Sequence, residues 1–364
     1  MSTKHSIYFP SIDILRGFAA LSVVVYHVIE HFDWKTYPAE GFLVWFRIGW
    51  MGVDLFFVIS GFVIGLSAFS EIAKHGTTGF QRPFMMRRFA RIVPLHYFTC
   101  LLFVALVLPQ VLFEKIWPNL ITHALFVHNL FPNFHGAING PNWSLGTEMQ
   151  FYVLIVLVAP WIRRTSFGAV LGTFLLVAWT WRYGCTLLLP TQAEQGVWKL
   201  FMMSTQLPGM LDEFVAGLLL AKFSRTERGA LLMRSSPVWS IPLAAAAVWF
   251  ALALYWPFAK YWDFPFMVIF YRTVLATACV LVVFSACTLN ADWWLRLTAP
   301  LRYLGTISYG IYLWHLPVLL TLKDLPWLEP QRALPVVLIL TVCLASVSWH
   351  FFEQPLMRRL VKNH

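Results

Sequence analysis

The chain has 364 residues, of which 59% are hydrophobic, 17% aromatic and only 12% charged, and its mean hydropathy is +0.66. A soluble globular domain carries about a quarter charged residues, so this composition excludes one and specifies a membrane protein whose length is taken up by apolar segments. The net charge of +10 falls in short segments between apolar runs, the pattern of a positive-inside membrane protein rather than of a nucleic-acid surface. The cysteines, Cys100, Cys185, Cys279, Cys287 and Cys343, lack paired or metal-like spacing. They read as small core residues, with no disulfide frame and no metal site expected.

Runs of roughly twenty apolar residues can span a bilayer. In chain order they fall at 12–31, 48–70, 91–112, 144–162, 167–189, 200–222, 238–257, 266–288, 301–321 and 333–353. The expected fold is therefore all-α: a polytopic bundle of about ten transmembrane helices forming one domain over 1–364. No cleavage-site pattern follows the first run, so it is expected to remain as a helix. The stretch 116–131, apolar but short and broken by Pro118 and Pro132, suits a re-entrant or interfacial helix. With the N-terminus inside, the inner segments hold about twice as many Lys and Arg as the outer ones, which orients both termini toward the cytoplasm. Arg182 and Lys199 count among the outer charges and separate the fifth run from the sixth. No inverted repeat of the transporter kind is evident.

Ionisable residues inside membrane segments are costly and signal function. His27 lies in the first run, and Arg16 lies eleven residues before it, about 16 Å along a helix axis. Asp13, Arg16, Arg88, Arg91 and Glu353 fall near the cytoplasmic ends of their runs, and His27, Asp54, Glu148 and His315 near the outer ends. Arg88 and Arg91, spaced i, i+3, share one helix face, and guanidinium forks suit phosphate oxygens. With Arg16 they suit a phosphate-rich cytosolic ligand such as a nucleotide-linked cofactor, or they are plain positive-inside anchors. His27 can take a proton from a hydroxyl or thiol and return it; the alternative is a packing histidine bonded to a nearby carbonyl. Asp54 can steer its ring as triad carboxylates do, or serve in a salt bridge; Glu148 is the second choice. Ser144 reads as a helix N-cap. Gly61 and Gly65 read as helix packing. His123, His128 and His135 read as loop histidines whose spacing fits no metal motif.

Six segments in order resemble one family. They are Asp13-Ile14-Leu15-Arg16-Gly17-Phe18-Ala19-Ala20 with His27 downstream, Gly52 to Phe62, Arg88-Phe89-Ala90-Arg91-Ile92-Val93-Pro94, Trp143-Ser144-Leu145-Gly146-Thr147-Glu148, Ser308 to His315, and Phe352-Glu353-Gln354-Pro355. Together they resemble the acyltransferase-3 family of integral-membrane O-acyltransferases that modify bacterial surface polysaccharides and lipopolysaccharides. The resemblance implies ten core helices in the bacterial inner membrane and a cytosolic acyl-CoA donor, usually acetyl-CoA. It implies an acceptor hydroxyl on an extracytoplasmic glycan or lipid-linked glycan, such as O-antigen or exopolysaccharide. It makes His27 the catalytic histidine and Arg88 and Arg91 the donor-binding arginines; the residue reading adds Arg16 to the donor end, Asp54 and Glu148 as the groups that steer His27, and Trp143, Ser144, Tyr309 and His315 as acceptor-binding residues. The family pattern often has Ser and Glu where this chain has Gly146 and Met149. Many larger relatives add an SGNH hydrolase-like domain, which is not expected here. A different acyl group such as succinyl, a small-molecule acceptor, or a non-catalytic transporter or flippase are the alternatives.

Overall fold

Helix accounts for most of the computed structural model, which describes residues 9–107, 114–189, 194–235, 238–289 and 291–362. No strand occurs among the described residues. The α-helices in order are α1 (Pro10–His31), α2 (Met51–Gly79), α3 (Gln81–Leu106), α4 (Ile116–Ala124), α5 (Trp143–Arg164), α6 (Phe167–Leu188), α7 (Glu194–Ser204) and α8 (Leu211–Ser224). They continue with α9 (Glu227–Arg234), α10 (Ser240–Tyr255), α11 (Pro265–Thr288), α12 (Asp292–Leu297), α13 (Ala299–Thr306), α14 (Ser308–Leu322), α15 (Pro330–Ser348) and α16 (Gln354–Lys362). Lys4 and positions 108–112 of the third expected span lie outside the described residues.

Among the described residues, seven helices are long and apolar enough to cross a membrane, and the protein is an all-α, multi-pass membrane protein. These seven correspond to seven of the ten expected spans. The other three differ for local reasons. α6 is continuous but carries Arg182, which lowers its hydropathy; that residue is fully buried and paired to Asp212, so it is not the loop charge expected from the sequence. The sixth run breaks between α7 and α8, where Pro208 opens a short 3-10 turn at Leu207–Met210. The ninth divides into α13 and α14 at Ile307. α4 is a single nine-residue helix inside the stretch expected to be re-entrant.

The polarity is that of a chain solvated by lipid. Leu101, Leu157, Leu187, Trp249 and Phe351 are exposed, whereas Asp54, Arg182, Asp212, Glu213 and Arg272 are buried. Bilayer hydrocarbon imposes no cost on exposed leucine and forces charges inward to find partners.

The chain forms two compact units by internal contacts: residues 1–12, 54–84 and 147–297, and residues 13–53, 85–146 and 298–364. In the first, α2 and α8 cross at glycines. A Cβ on Gly61 would stand 2.1 Å from the Phe214 carbonyl oxygen, and one on Gly217 would stand 1.9 Å from that of Val58. Only glycine permits this backbone approach, and Gly65 meets Ala221 on the same face, in keeping with the packing role expected for these residues. In the second unit, α13 crosses α1: a Cβ on Gly305 would lie 1.7 Å from the Asp13 carbonyl oxygen. The loop after α1 folds back on it through Trp45, whose Nε1 donates to Ser22 Oγ at 2.8 Å and whose ring stacks on Phe18. Leu95, Leu145 and Leu313 make a buried contact among α3, α5 and α14.

Candidate active site

His27 lies in the second unit, near the C-terminal end of α1. Its Nδ1 stands 2.9 Å from the Val23 carbonyl oxygen one turn back, so Nδ1 carries the hydrogen and donates. The same Nδ1 is 3.3 Å from Nε2 of His315, with ring centroids 5.0 Å apart. His315 is fully buried, and its own Nδ1 meets the Tyr312 carbonyl at 2.7 Å. The sequence placed both histidines near the outer ends of their runs, but gave no sign that they pair.

α14 is fastened at several points in this unit. Tyr312 donates its hydroxyl to the Pro141 carbonyl at 2.8 Å, and Ser144 Oγ lies 2.7 Å from that hydroxyl and 3.0 Å from the same carbonyl. Both hydroxyls are buried, so Ser144, expected at the acceptor, here fastens the start of α5 to α14. Pro317 lacks the N–H that Leu313 would otherwise receive, and Asn139 Nδ2 donates to that carbonyl at 3.1 Å instead. Gly146 also has a packing reason: a Cβ there would meet Asn129 Oδ1 at 2.7 Å. Trp143 stacks on His135 with ring centroids 6.1 Å apart.

Arg91 is heavily engaged. Its Nη1 is 3.4 Å from Glu353 Oε2, its Nη2 donates to the Thr306 carbonyl at 3.2 Å, and its guanidinium lies over Trp349 at 4.7 Å and Tyr309 at 5.7 Å. Glu353 reaches Arg91 from a π-helical turn, Trp349–Glu353, a departure from α-geometry that often marks functional sites. Tyr309 donates its hydroxyl to the Ile92 carbonyl at 2.7 Å, so it stands at the Arg91 end rather than beside His27's partner. Arg16 is 27% exposed and 3.7 Å from Asp13. Arg88, three residues before Arg91 on α3, is half-buried.

Asp54 and Glu148 belong to the first unit. Asp54 Oδ1 receives Arg272 Nη1, and that nitrogen also lies 3.4 Å from Glu213 Oε1. Beside this group, Arg182 Nη2 pairs with Asp212 Oδ2, which also accepts from Thr273 Oγ1 at 2.6 Å. The buried partners Arg272, Glu213, Arg182 and Asp212 were not identified from the sequence; four charged residues inside apolar runs were the available signal. Glu148 Oε1 accepts from Ser60 Oγ at 2.7 Å and from the Tyr152 hydroxyl at 2.8 Å.

The loop histidines are buried rather than solvated. His123 and His128 stack in parallel at 4.1 Å, with His96 6.2 Å from His128. His128 Nε2 donates to the Asn142 carbonyl at 2.9 Å. Burial depresses the His128 pKa to about 4; burial and then the neighbouring His128 depress that of His135, also to about 4. Among the described residues no group of His, Cys, Asp and Glu is arranged to hold a metal ion.

The arrangement offers a histidine with a fixed donor nitrogen and guanidinium groups eleven residues away on the same helix and on α3. The profile of the acyltransferase-3 family, an acyltransferase domain, matches residues 9–350. The chain belongs to the acyltransferase-3 family. Among curated relatives it is similar to the peptidoglycan O-acetyltransferase OatA of Listeria monocytogenes, 30% identical over 385 aligned positions covering 98% of this chain and 57% of that protein. It is 24% identical to the O-acetyltransferase OatA of Staphylococcus aureus over 97% of this chain and 58% of that protein. The acyltransferase MdmB of Streptomyces mycarofaciens is 33% identical over 43% of this chain and 40% of its own length. The chain thus spans little more than half the length of either OatA. No solved structure matches it.

Proposed function

We propose that this family member is a transmembrane O-acetyltransferase, one catalytic domain moving an acetyl group from cytosolic acetyl-CoA to a hydroxyl of an extracytoplasmic glycan. The relatives named for peptidoglycan favour a cell-wall glycan as acceptor over O-antigen or exopolysaccharide. The topology that goes with this reading has both termini on the cytoplasmic side of the bacterial inner membrane.

The observation that carries the reading is the fixed orientation of His27. With Nδ1 donating to the Val23 carbonyl, the neutral ring has its lone pair on Nε2, the form a general base requires. Arg16 supports the donor end. Its 3.7 Å ion pair to Asp13 is long, and a partly exposed guanidinium so loosely held can exchange a carboxylate for phosphate oxygens. Arg16, Arg88 and Arg91 would hold the donor's phosphates, with Arg91 aimed by Glu353 and Trp349. Acetyl-CoA, when bound, supplies an activated acyl carbon on a thiolate leaving group. His27 Nε2 takes the proton of the acceptor hydroxyl as its oxygen bonds to that carbon, and returns the proton to the departing sulfur. Asp54 is assigned to hold Arg272 in place, and Ser60 and Tyr152 to hold Glu148 at Oε1.

The test is acetyl transfer from acetyl-CoA to peptidoglycan fragments by the purified full chain, with the ester detected by mass spectrometry. Transfer by the wild type and its loss in His27→Ala, with folding intact, is the expected result. A folded His27→Ala variant with near-normal transfer would overturn the reading.

A further inference from the structure

His315 was expected to bind the acceptor, but its surroundings describe another role. Its side chain is fully buried, and both ring nitrogens are accounted for inside the protein. Nδ1 lies 2.7 Å from the Tyr312 carbonyl oxygen, an atom that only accepts, so Nδ1 bears the hydrogen. A neutral imidazole carries one N–H, and Nε2 is therefore a lone pair. That lone pair faces His27 Nδ1 at 3.3 Å, and His27 Nδ1 also faces the Val23 carbonyl oxygen at 2.9 Å. Two acceptors converge on one nitrogen of His27. The opposite tautomer, with a lone pair on that nitrogen, would set three lone pairs against one another.

We propose that His315 is a positioning residue that holds His27 as its Nδ1–H tautomer and keeps His27 Nε2 free as the reacting base. This rests on the assignment of His27 as that base. When Nε2 gains a proton, the Nδ1–H remains shared between the two acceptors and the ring does not turn. A carboxylate performs the same orienting task in serine-protease triads. Here it would put an ion at a fully buried position inside the membrane, which is costly without a further partner. A neutral histidine supplies the lone pair without the charge. The site around it is stiff: Tyr312 is tied to Pro141 and Ser144, and the Leu313 carbonyl to Asn139.

Two substitutions separate the halves of this role. In His315→Asn the amide nitrogen takes the place of Nδ1 and can keep the Tyr312 bond, but nothing reaches His27. In His315→Gln the terminal amide reaches the Nε2 position and can offer its oxygen to His27 Nδ1–H. Acetyl transfer from acetyl-CoA to peptidoglycan fragments is measured on the full chain, alongside thermal unfolding. His315→Asn should lose about 10²-fold in kcat, the low end of what a general base contributes, with KM for acetyl-CoA unchanged. His315→Gln should retain most of the wild-type kcat. A folded His315→Asn variant with wild-type kcat would overturn the proposal, and so would a folded His315→Gln variant as impaired as His315→Asn. His27→Ala, run in parallel, reports on the base itself. If it stays active the catalytic reading fails, whereas an inactive His27→Ala beside an unimpaired His315→Asn removes only the role of His315.

Discussion

Replacing Arg272 by methionine is expected to destabilise the protein more than replacing either carboxylate it serves. Arg272 Nη1 donates to Asp54 Oδ1 and lies 3.4 Å from Glu213 Oε1. The three side chains are 5%, 1% and 0% exposed. In Asp54→Asn the guanidinium keeps Glu213 as an acceptor, and the asparagine oxygen still accepts. The loss is then that of one charge-assisted hydrogen bond, about 1–3 kcal/mol. In Arg272→Met two buried carboxyls lose their shared cation. Removing one partner of a buried ion pair costs about 3–5 kcal/mol, because the carboxyls left behind lose the cation that balances them inside the protein. The assay is SDS-induced unfolding of the purified protein in detergent micelles, followed by tryptophan fluorescence. Asp54→Asn/Arg272→Met should be more stable than the sum of the single losses, because neighbours in one network are not additive. The reasoning is refuted if Arg272→Met is no less stable than Asp54→Asn, or if the double variant shows simple additivity. The same series tests Asp54 chemically: wild-type stability with lost transfer in Asp54→Asn would return that residue to the reaction.

Gly305→Ala should be destabilising by more than about 3 kcal/mol, the upper range for ordinary overpacking, because its Cβ would sit 1.7 Å from the Asp13 carbonyl oxygen. Gly172→Ala on α6 meets nothing within 4 Å and should leave the unfolding midpoint unchanged or slightly raised. Asn139→Ala strands the Leu313 carbonyl and should cost about 1–3 kcal/mol. Pro317→Ala restores the helical N–H to that carbonyl, so the same unfolding measurement should find Asn139→Ala milder in its presence. His128 and His135 bind protons at about pH 4 in the folded protein, against about 6.5 when unfolded. Their contribution to stability is therefore complete above about pH 6.5 and declines as the pH falls toward 4. Thermal unfolding across pH 4–7 should show this slope weakened in His128→Asn, and an identical slope in that variant would contradict the assignment.

Seven of the expected spans were legible because length and apolarity are local properties that a bilayer selects directly. Arg182 was misread as a loop charge for a related reason. A charge inside an apolar run looks like an interruption unless its partner is known, and Asp212 is thirty residues further on, in α8. The acidic pair Asp212-Glu213 was open to inspection in the sequence, but nothing in its spacing singles out Arg182 and Arg272 as the cations. The loop histidines were placed outside the spans by the sequence, but polarity and spacing alone do not reveal the buried stack that His123 and His128 form.

The contrast between His27 and Asp54 shows where sequence reasoning ends. Counting residues from a helix end gives height along the axis, and both residues lie near the same end of their runs by that measure. Height says nothing about azimuth, which is set by packing against other helices. The partner of Asp54 is 218 residues away and that of His27 is 288 away. The eleven-residue separation of Arg16 and His27 needed no such information, since both lie on α1 and the helix fixes their axial distance. For the same reason the bond from His27 to Val23, at i−4, was available in principle from the sequence, and with it the nitrogen that acts as base. The residue that reinforces this choice, His315, became visible only when α14 was set against α1.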